Sequence, residues 1–221
     1  MDGLTVHQQR QLQTVLALLE GDEHAPTAIR TREHAAQAHV ADSLVALELE
    51  VVRSAQRIAD LGSGVGFPGL ALAVALPGAQ VCLVESHGRR CDFLTGLCAA
   101  AHIENARVVC ARAEEWRDGV SRQELVVARA LAPQTVVLEY AAPLLCVGGS
   151  LVDWRGKRER TAEAAADRAA AVLGLRREEV RRVVPFEGAT DRHLHVFLKT
   201  QPTPTRFPRR PGIARKRPLG D

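Results

Sequence analysis

The stretch Asp60-Leu61-Gly62-Ser63-Gly64-Val65-Gly66-Phe67-Pro68-Gly69 decides the reading of this chain. Arg57–Leu61 is a short run with strand character leading into it. Pro68 suits the first position of a helix, where a missing N–H costs nothing. A strand, a glycine loop and a helix in that order make a ligand-binding corner of an open α/β sheet, whose ligands sit beyond the carboxyl ends of the strands. Gly62, Gly64 and Gly66 let the backbone turn tightly and approach a ligand where a Cβ would clash. Two ligand classes use such a corner. A dinucleotide wants Gly-x-Gly-x-x-Gly. Counted from Gly62, the last position is Phe67 and the pattern fails; counted from Gly64, Gly66 and Gly69 fit, but Pro68 removes one donor that a diphosphate would use. Asp60 and the Gly-x-Gly-x-Gly spacing suit a methionine-type ligand better, since its amino group wants a carboxylate and its carboxylate wants backbone amides. A tight turn with no ligand is the bland alternative, and three glycines at a strand end argue against it.

Outward from the loop, strands and helices alternate. Strands are predicted at Gln80–Glu85, Arg107–Cys110, Leu125–Ala128, Gly149–Asp153, Glu179–Val184 and His193–Lys199, with helices at Arg90–Ala101, Pro133–Leu145 and Arg158–Leu173. Phe93, Leu94 and Leu97 should face inward from the first of these helices. The pattern predicts a Rossmann-like α/β fold: a mostly parallel seven-stranded sheet with helices on both faces. Residues 1–50 read as a helical extension. Thr5 and Gln8 resemble a capping box ahead of the stripe Leu12, Val15, Leu16 and Leu19, and Gly21 suits the stop. Residues 22–30 read as a loop, and a second helix begins near Thr31 and runs through Leu47.

Strand ends supply the candidate ligands. Glu85 ends the second strand, where an acid can accept both hydroxyls of a ribose; as a surface acid it would pair instead with Arg89 or Arg90. Glu114 follows the third strand and could accept from an adenine amino group, or could simply favour the first turn of a helix. Arg129 ends the fourth strand on the same edge. His39, Asp42 and Ser43 lie on the second helix, with His39 and Ser43 sharing a face.

Composition narrows the class. The chain has 221 residues with 46% hydrophobic, 25% charged and only 4% aromatic side chains, so its core must be built from Ala, Val and Leu. No apolar run is long enough to span a bilayer, and the first residues do not read as an export signal. The five cysteines lack Cys-x-x-Cys spacing and read as reduced, mostly buried small hydrophobes, with no metal site. Residues 201–221 carry six basic residues against the single acid Asp221, more than the whole formal net charge of +3. That Pro- and Arg-rich tail shows no core face and favours a polyanion, unless it is a solvated end. The domain reading is therefore 1–50 helical extension, 51–200 ligand-binding domain and 201–221 tail.

Asp60 through Gly69, ending in Phe-Pro-Gly, resembles the signature of the bacterial 16S ribosomal RNA guanine-N7 methyltransferases, also called glucose-inhibited division protein B. The resemblance extends to His39-Val40-Ala41-Asp42-Ser43-Leu44, Arg112-Ala113-Glu114-Glu115, Ala128-Arg129-Ala130, Pro208-Arg209-Arg210-Pro211-Gly212 and Lys216-Arg217-Pro218-Leu219. It implies a class I methyltransferase fold, a cytoplasmic enzyme, S-adenosylmethionine as cofactor, and methyl transfer to N7 of a guanosine in small-subunit ribosomal RNA. Gly62, Phe67, Ala113, Glu114 and Arg129 stand where the family binds the cofactor, with Phe67 near its methionine part and Ala113-Glu114 at its adenine. Asp60, Gly64, Gly66 and Glu85 complete the expected set. Arg129, Arg155 and the tail residues Arg206, Arg209, Arg210, Arg215, Lys216 and Arg217 are the expected phosphate contacts, and His39, Asp42 and Ser43 the substrate-side candidates. The expected partner is 16S ribosomal RNA or the small subunit, met by a monomer with no metal and no membrane. Where the family usually has Asn-Leu-Thr, an arginine before the histidine, and Lys-Gly, this chain has Ala25-Pro26-Thr27, Ala38 and Arg155-Gly156. Another Rossmann-fold RNA methyltransferase, a nicotinamide-dependent oxidoreductase and a non-catalytic RNA-binding protein are the other readings. Guanine N7 already offers a lone pair, so no general base is expected.

Overall fold

The four central strands carry buried apolar residues on both faces because helices cover both, leaving no solvent side for regular polar alternation. The computed structural model describes residues 3–21 and 36–220. Its strands are β1 (Arg57–Leu61), β2 (Gln80–Glu85), β3 (Ala106–Cys110), β4 (Gln123–Arg129), β5 (Leu145–Arg155), β6 (Leu175–Val183) and β7 (Arg192–Lys199). They form one sheet in the order β3-β2-β1-β4-β5-β7-β6. Pairing is parallel from β3 to β5, while β7 runs antiparallel to both β5 and β6. The strand order reverses between β1 and β4, so the loops after those two strands face each other across a crevice.

The pleat divides the core. Ile58, Val81, Leu83, Leu125 and Val127 face helices α1 (Val6–Gly21), α2 (Gly69–Ala75) and α3 (Gly88–Ala100). Ala59, Leu61, Cys82, Val84, Val126 and Ala128 face α4 (Gln134–Ala141) and α5 (Arg160–Val172). The capping box is formed: the Thr5 amide donates to Gln8 Oε1 at 2.9 Å and the Gln8 amide to Thr5 Oγ1 at 3.3 Å. Pro68 flanks α2 rather than opening it, and Gly69 is its first residue. Phe93 is half-buried, while Leu94 and Leu97 are buried. Of the cysteines only Cys82 and Cys91 are buried; Cys110 is exposed, and all five are free thiols.

Two regions depart from expectation. The second helix is broken: a π-turn at Ala36–Ala41 is followed by short turns at Asp42–Leu44, Val45–Glu48 and Glu50–Arg53. Two carbonyls that a continuous helix would use are taken by the sheet. The Arg129 guanidinium donates to Ala38 O at 3.1 Å, and Trp154 Nε1 donates to Asp42 O at 2.8 Å. The start of that helix near Thr31, the loop 22–30 and Ala25-Pro26-Thr27 lie outside the described residues.

The second departure is the tail, which has a core face after all. Phe207 and Ala214 are buried in the α4–α5 layer, and Leu219 packs against it. Arg209 donates through Nε to Glu139 Oε1 at 2.6 Å and through Nη2 to Glu139 Oε2, and Glu139 itself is buried. The last residues are held as well, since the Arg168 guanidinium donates to Gly220 O. Residues 201–220 are therefore part of the folded domain.

Candidate active site

The loop Gly62–Gly66 leaves β1 with Gly62, Gly64 and Gly66 all at positive φ. At Gly62, φ is +68° and an added Cβ would lie 2.5 Å from Leu131 Cδ1. Leu131 is reached through Ala130, which itself has φ 55° as the chain leaves β4. Gly62 thus marks where the two crevice loops touch, and it lines the cavities on both sides of that contact.

The larger cavity, about 590 Å3, opens between the loop and the N-terminal segment. His39, Asp42, Ser63, Gly64, Phe67 and Arg129 are among its lining residues. The His39 ring stacks on Phe67 with centroids 5.2 Å apart and planes 10° from parallel. Arg129 Nη2 lies 3.3 Å from His39 Nδ1. A guanidinium can only donate, so Nδ1 is the acceptor and the ring is neutral. Burial first, and then the Arg129 charge, lower the His39 pKa to about 4. Arg129 also donates to Asp42 Oδ2 at 2.8 Å, and Arg192 stands 3.3 Å from Asp42 Oδ1. Ser43 is fully buried and donates to His39 O at 2.5 Å, so it shapes the turn and does not line the cavity.

The smaller cavity, about 90 Å3, lies on the other side of Gly62. Leu61, Val84, Ala113 and Leu131 give it apolar walls, and Glu114, Tyr140 and Arg215 give it polar ones. Glu85, buried to 4% exposure, lines neither cavity but is hydrogen-bonded to a residue that lines each, Gly64 in the larger and Ser86 in the smaller. Its Oε2 accepts from the Gly64 amide at 3.1 Å, and its Oε1 from the Ser86 and His87 amides at 2.8 and 2.9 Å. Arg90 Nη1 lies 3.9 Å from Oε2, so the pairing with Arg90 is present, but on an acid that is buried and not on the surface.

Several expected site residues have other partners. Asp60 is wholly buried behind the loop, where Oδ2 accepts from the Gly69 amide at 2.9 Å; burial lifts its pKa to about 6 against that hydrogen bond. Asp60 and Gly66 line neither cavity. Arg155 spends its guanidinium on Asp153 at 2.6 Å and Ala132 O at 2.8 Å, yet it lines the larger cavity. Arg209 is committed to Glu139, and Arg215 donates to Leu131 O at 2.9 Å. Among the expected phosphate contacts this leaves Arg206, Arg210, Lys216 and Arg217 as exposed tail cations. Sequence reasoning missed Trp154, Arg192, Leu131 and Tyr140. Trp154, one of two tryptophans, followed a strand end and was the available signal; Tyr140 sits inside a helix and gave none.

Fold and site together define an S-adenosylmethionine-dependent methyltransferase of the Rossmann-like class. A family model described as rRNA small subunit methyltransferase G matches residues 8–194, and the chain belongs to that family. The ribosomal RNA small subunit methyltransferase G of Chloroflexus aggregans is 37% identical over 98% of this chain and 92% of its own length. That of Rubrobacter xylanophilus is 41% identical over 82% of this chain and 72% of its own. Among solved structures, Aeropyrum pernix fibrillarin with natively bound S-adenosyl-L-methionine superposes with a TM-score of 0.54 at 19% identity, covering 72% of this chain and 73% of that one. At that identity the likeness speaks for the fold.

Proposed function

We propose that this protein transfers a methyl group from S-adenosylmethionine to N7 of a guanosine in small-subunit ribosomal RNA, acting as a monomer in the cytoplasm. The observation that supports it best is the pair of cavities meeting at Gly62, with a buried acid, Glu85, bonded to Gly64 of the larger and Ser86 of the smaller. In this reading the smaller cavity takes adenine, with Glu114 as acceptor for its amino group and Ala113 and Leu131 against its faces. Glu85 takes the ribose. Gly62, Gly64 and Phe67 take the methionine part. Asp60 and Gly66 serve the site from behind, by holding the loop and the start of α2. The residues present fit the cofactor, because an apolar slot, an acid and a glycine-lined opening follow one another in the order of its adenine, ribose and methionine parts.

The cofactor supplies an electrophilic methyl group. The protein supplies position and a desolvated cleft, since guanine N7 carries its own lone pair and loses no proton. His39 is neutral and bonded to Arg129, so its service is to shape the wall against Phe67. The target base must leave its stack to enter the larger cavity. Arg90 and Arg192 at that rim, with Arg206, Arg210, Lys216 and Arg217 on the tail, would meet phosphates. Titration with S-adenosylmethionine and with NADH separates this reading from an oxidoreductase or a non-catalytic binder, since only a methyltransferase binds the first and ignores the second.

Two expectations arise here. Glu85→Ala removes charge-assisted hydrogen bonds to a ribose and should cost about 1.5–3 kcal/mol of cofactor binding. Calorimetry reads it; a loss well below that range would mean that Glu85 only braces the loop. With no general base, kcat should stay flat from roughly pH 7 to 8.5. It should fall on acidification through about 6, where buried Asp60 takes a proton and ceases to be the carboxylate that holds the Gly69 amide. A limb tracking a group near pH 7 would point to proton transfer in the mechanism.

A further inference from the structure

We infer that the C-terminal segment is a wall of the adenosine cavity, with Arg215 as a cofactor-binding residue. The inference rests on the cofactor reading above and extends it to a part of the chain that the sequence assigned to RNA alone. Arg215 stands on the short helical turn Ile213–Lys216 and lines the smaller cavity together with Glu114, Leu131 and Tyr140. Its guanidinium donates to Leu131 O at 2.9 Å, which ties the tail to the loop that touches Gly62. Three residues earlier, the Gly212 amide donates to Glu114 Oε1 at 3.2 Å. The acid assigned to adenine is therefore oriented by the tail backbone, while a tail side chain closes the same cavity. Gly212 can turn toward Glu114 because its φ is +81°, a conformation that glycine reaches without strain.

The segment is held in place by groups that do not touch the cavity. Phe207 and Ala214 anchor it in the core, and Arg209 anchors it to Glu139. Arg215 is exposed and lines the cavity from that anchored segment. A planar, permanently charged guanidinium suits the face or ring nitrogens of an adenine, where lysine would offer only a point charge. Its outward neighbours Arg210, Lys216 and Arg217 lie on the same short stretch, so phosphates held there bear on the cavity wall. Any coupling between cofactor and RNA binding through this wall would be equal in both directions, as linkage requires.

The test uses the full-length protein and two probes: S-adenosylmethionine, and 5′-methylthioadenosine, which lacks the methionine part. Arg215→Ala should weaken both by a similar factor of about tenfold or more, with Tm within about 2 °C of the parent. Arg176→Ala, on the exposed face of β6 and lining neither cavity, should change neither affinity. Equal affinity of parent and Arg215→Ala for both probes overturns the inference. So does a loss confined to S-adenosylmethionine, which would place the effect at the glycine loop, or a fall in Tm of more than about 5 °C, which would make Arg215 a packing residue. If the parent itself binds neither probe, the cofactor reading fails, and the two failures are thereby told apart.

Discussion

Gly64→Val is expected to abolish S-adenosylmethionine binding, by more than about 100-fold in Kd, in a protein that still folds. Gly64 has φ +56°, and the nearest atom to an added Cβ is Gly62 O at 3.7 Å. The new side chain therefore points into open space, and that space is the larger cavity, which Gly64 lines. A β-branched residue in the left-handed region costs about 1–3 kcal/mol, so Tm should drop while the cooperative transition survives. The change also pulls on the Gly64 amide bonded to Glu85, which joins the methionine and ribose positions. Calorimetry and thermal melting read the two effects separately. Unchanged affinity would remove the loop from the cofactor site.

Arg209→Ala should produce the largest loss of stability. It strips both hydrogen-bond donors from Glu139, a carboxylate on α4 with 1% exposure. Leaving a buried charge without its partner costs about 3–5 kcal/mol, and the partial exposure of Arg209 favours the lower end. For a chain of this size that corresponds to a Tm lower by roughly 6–12 °C. Replacing both partners with apolar residues, Arg209→Met with Glu139→Leu, should recover most of the loss, because no uncompensated charge then remains. A change under about 1 kcal/mol for the single variant would mean that Arg209 is free to serve RNA, as its sequence context suggested.

The central sheet was legible because buried parallel strands announce themselves. Val81–Val84 and Leu125–Ala128 are apolar runs ended by an acid or an arginine at the ligand edge, and Ile58–Leu61, interrupted only by Asp60, runs into a glycine there. The loop was legible from its glycines, and the positions of Glu85 at the end of β2 and Glu114 just after β3 were legible from the strand pattern. The break at residues 36–53 was not, because its cause lies far along the chain, at Arg129 and Trp154. The tail misled for a related reason. Phe207, Ala214 and Leu219 are scattered among arginines and prolines with no helical or strand period, and the partner of Arg209 is 70 residues away. Charge alone pointed that arginine at phosphate, whereas a buried acid claims it. Asp60 shows the opposite ambiguity: a carboxylate at a strand end can face a ligand or brace the turn behind it, and only the Gly69 amide decides between them.

The most direct measurement of the central claim is to map N7-methylguanosine in small-subunit ribosomal RNA after incubating the purified protein with S-adenosylmethionine and unmethylated small subunits or their RNA. Cleavage chemistry selective for N7-methylated guanosine, read by primer extension, locates the modified base. The account predicts one new N7-methylguanosine that depends on the cofactor and is lost with Gly64→Val. Methyl transfer to another atom or base, or none from a protein that binds the cofactor, would contradict it.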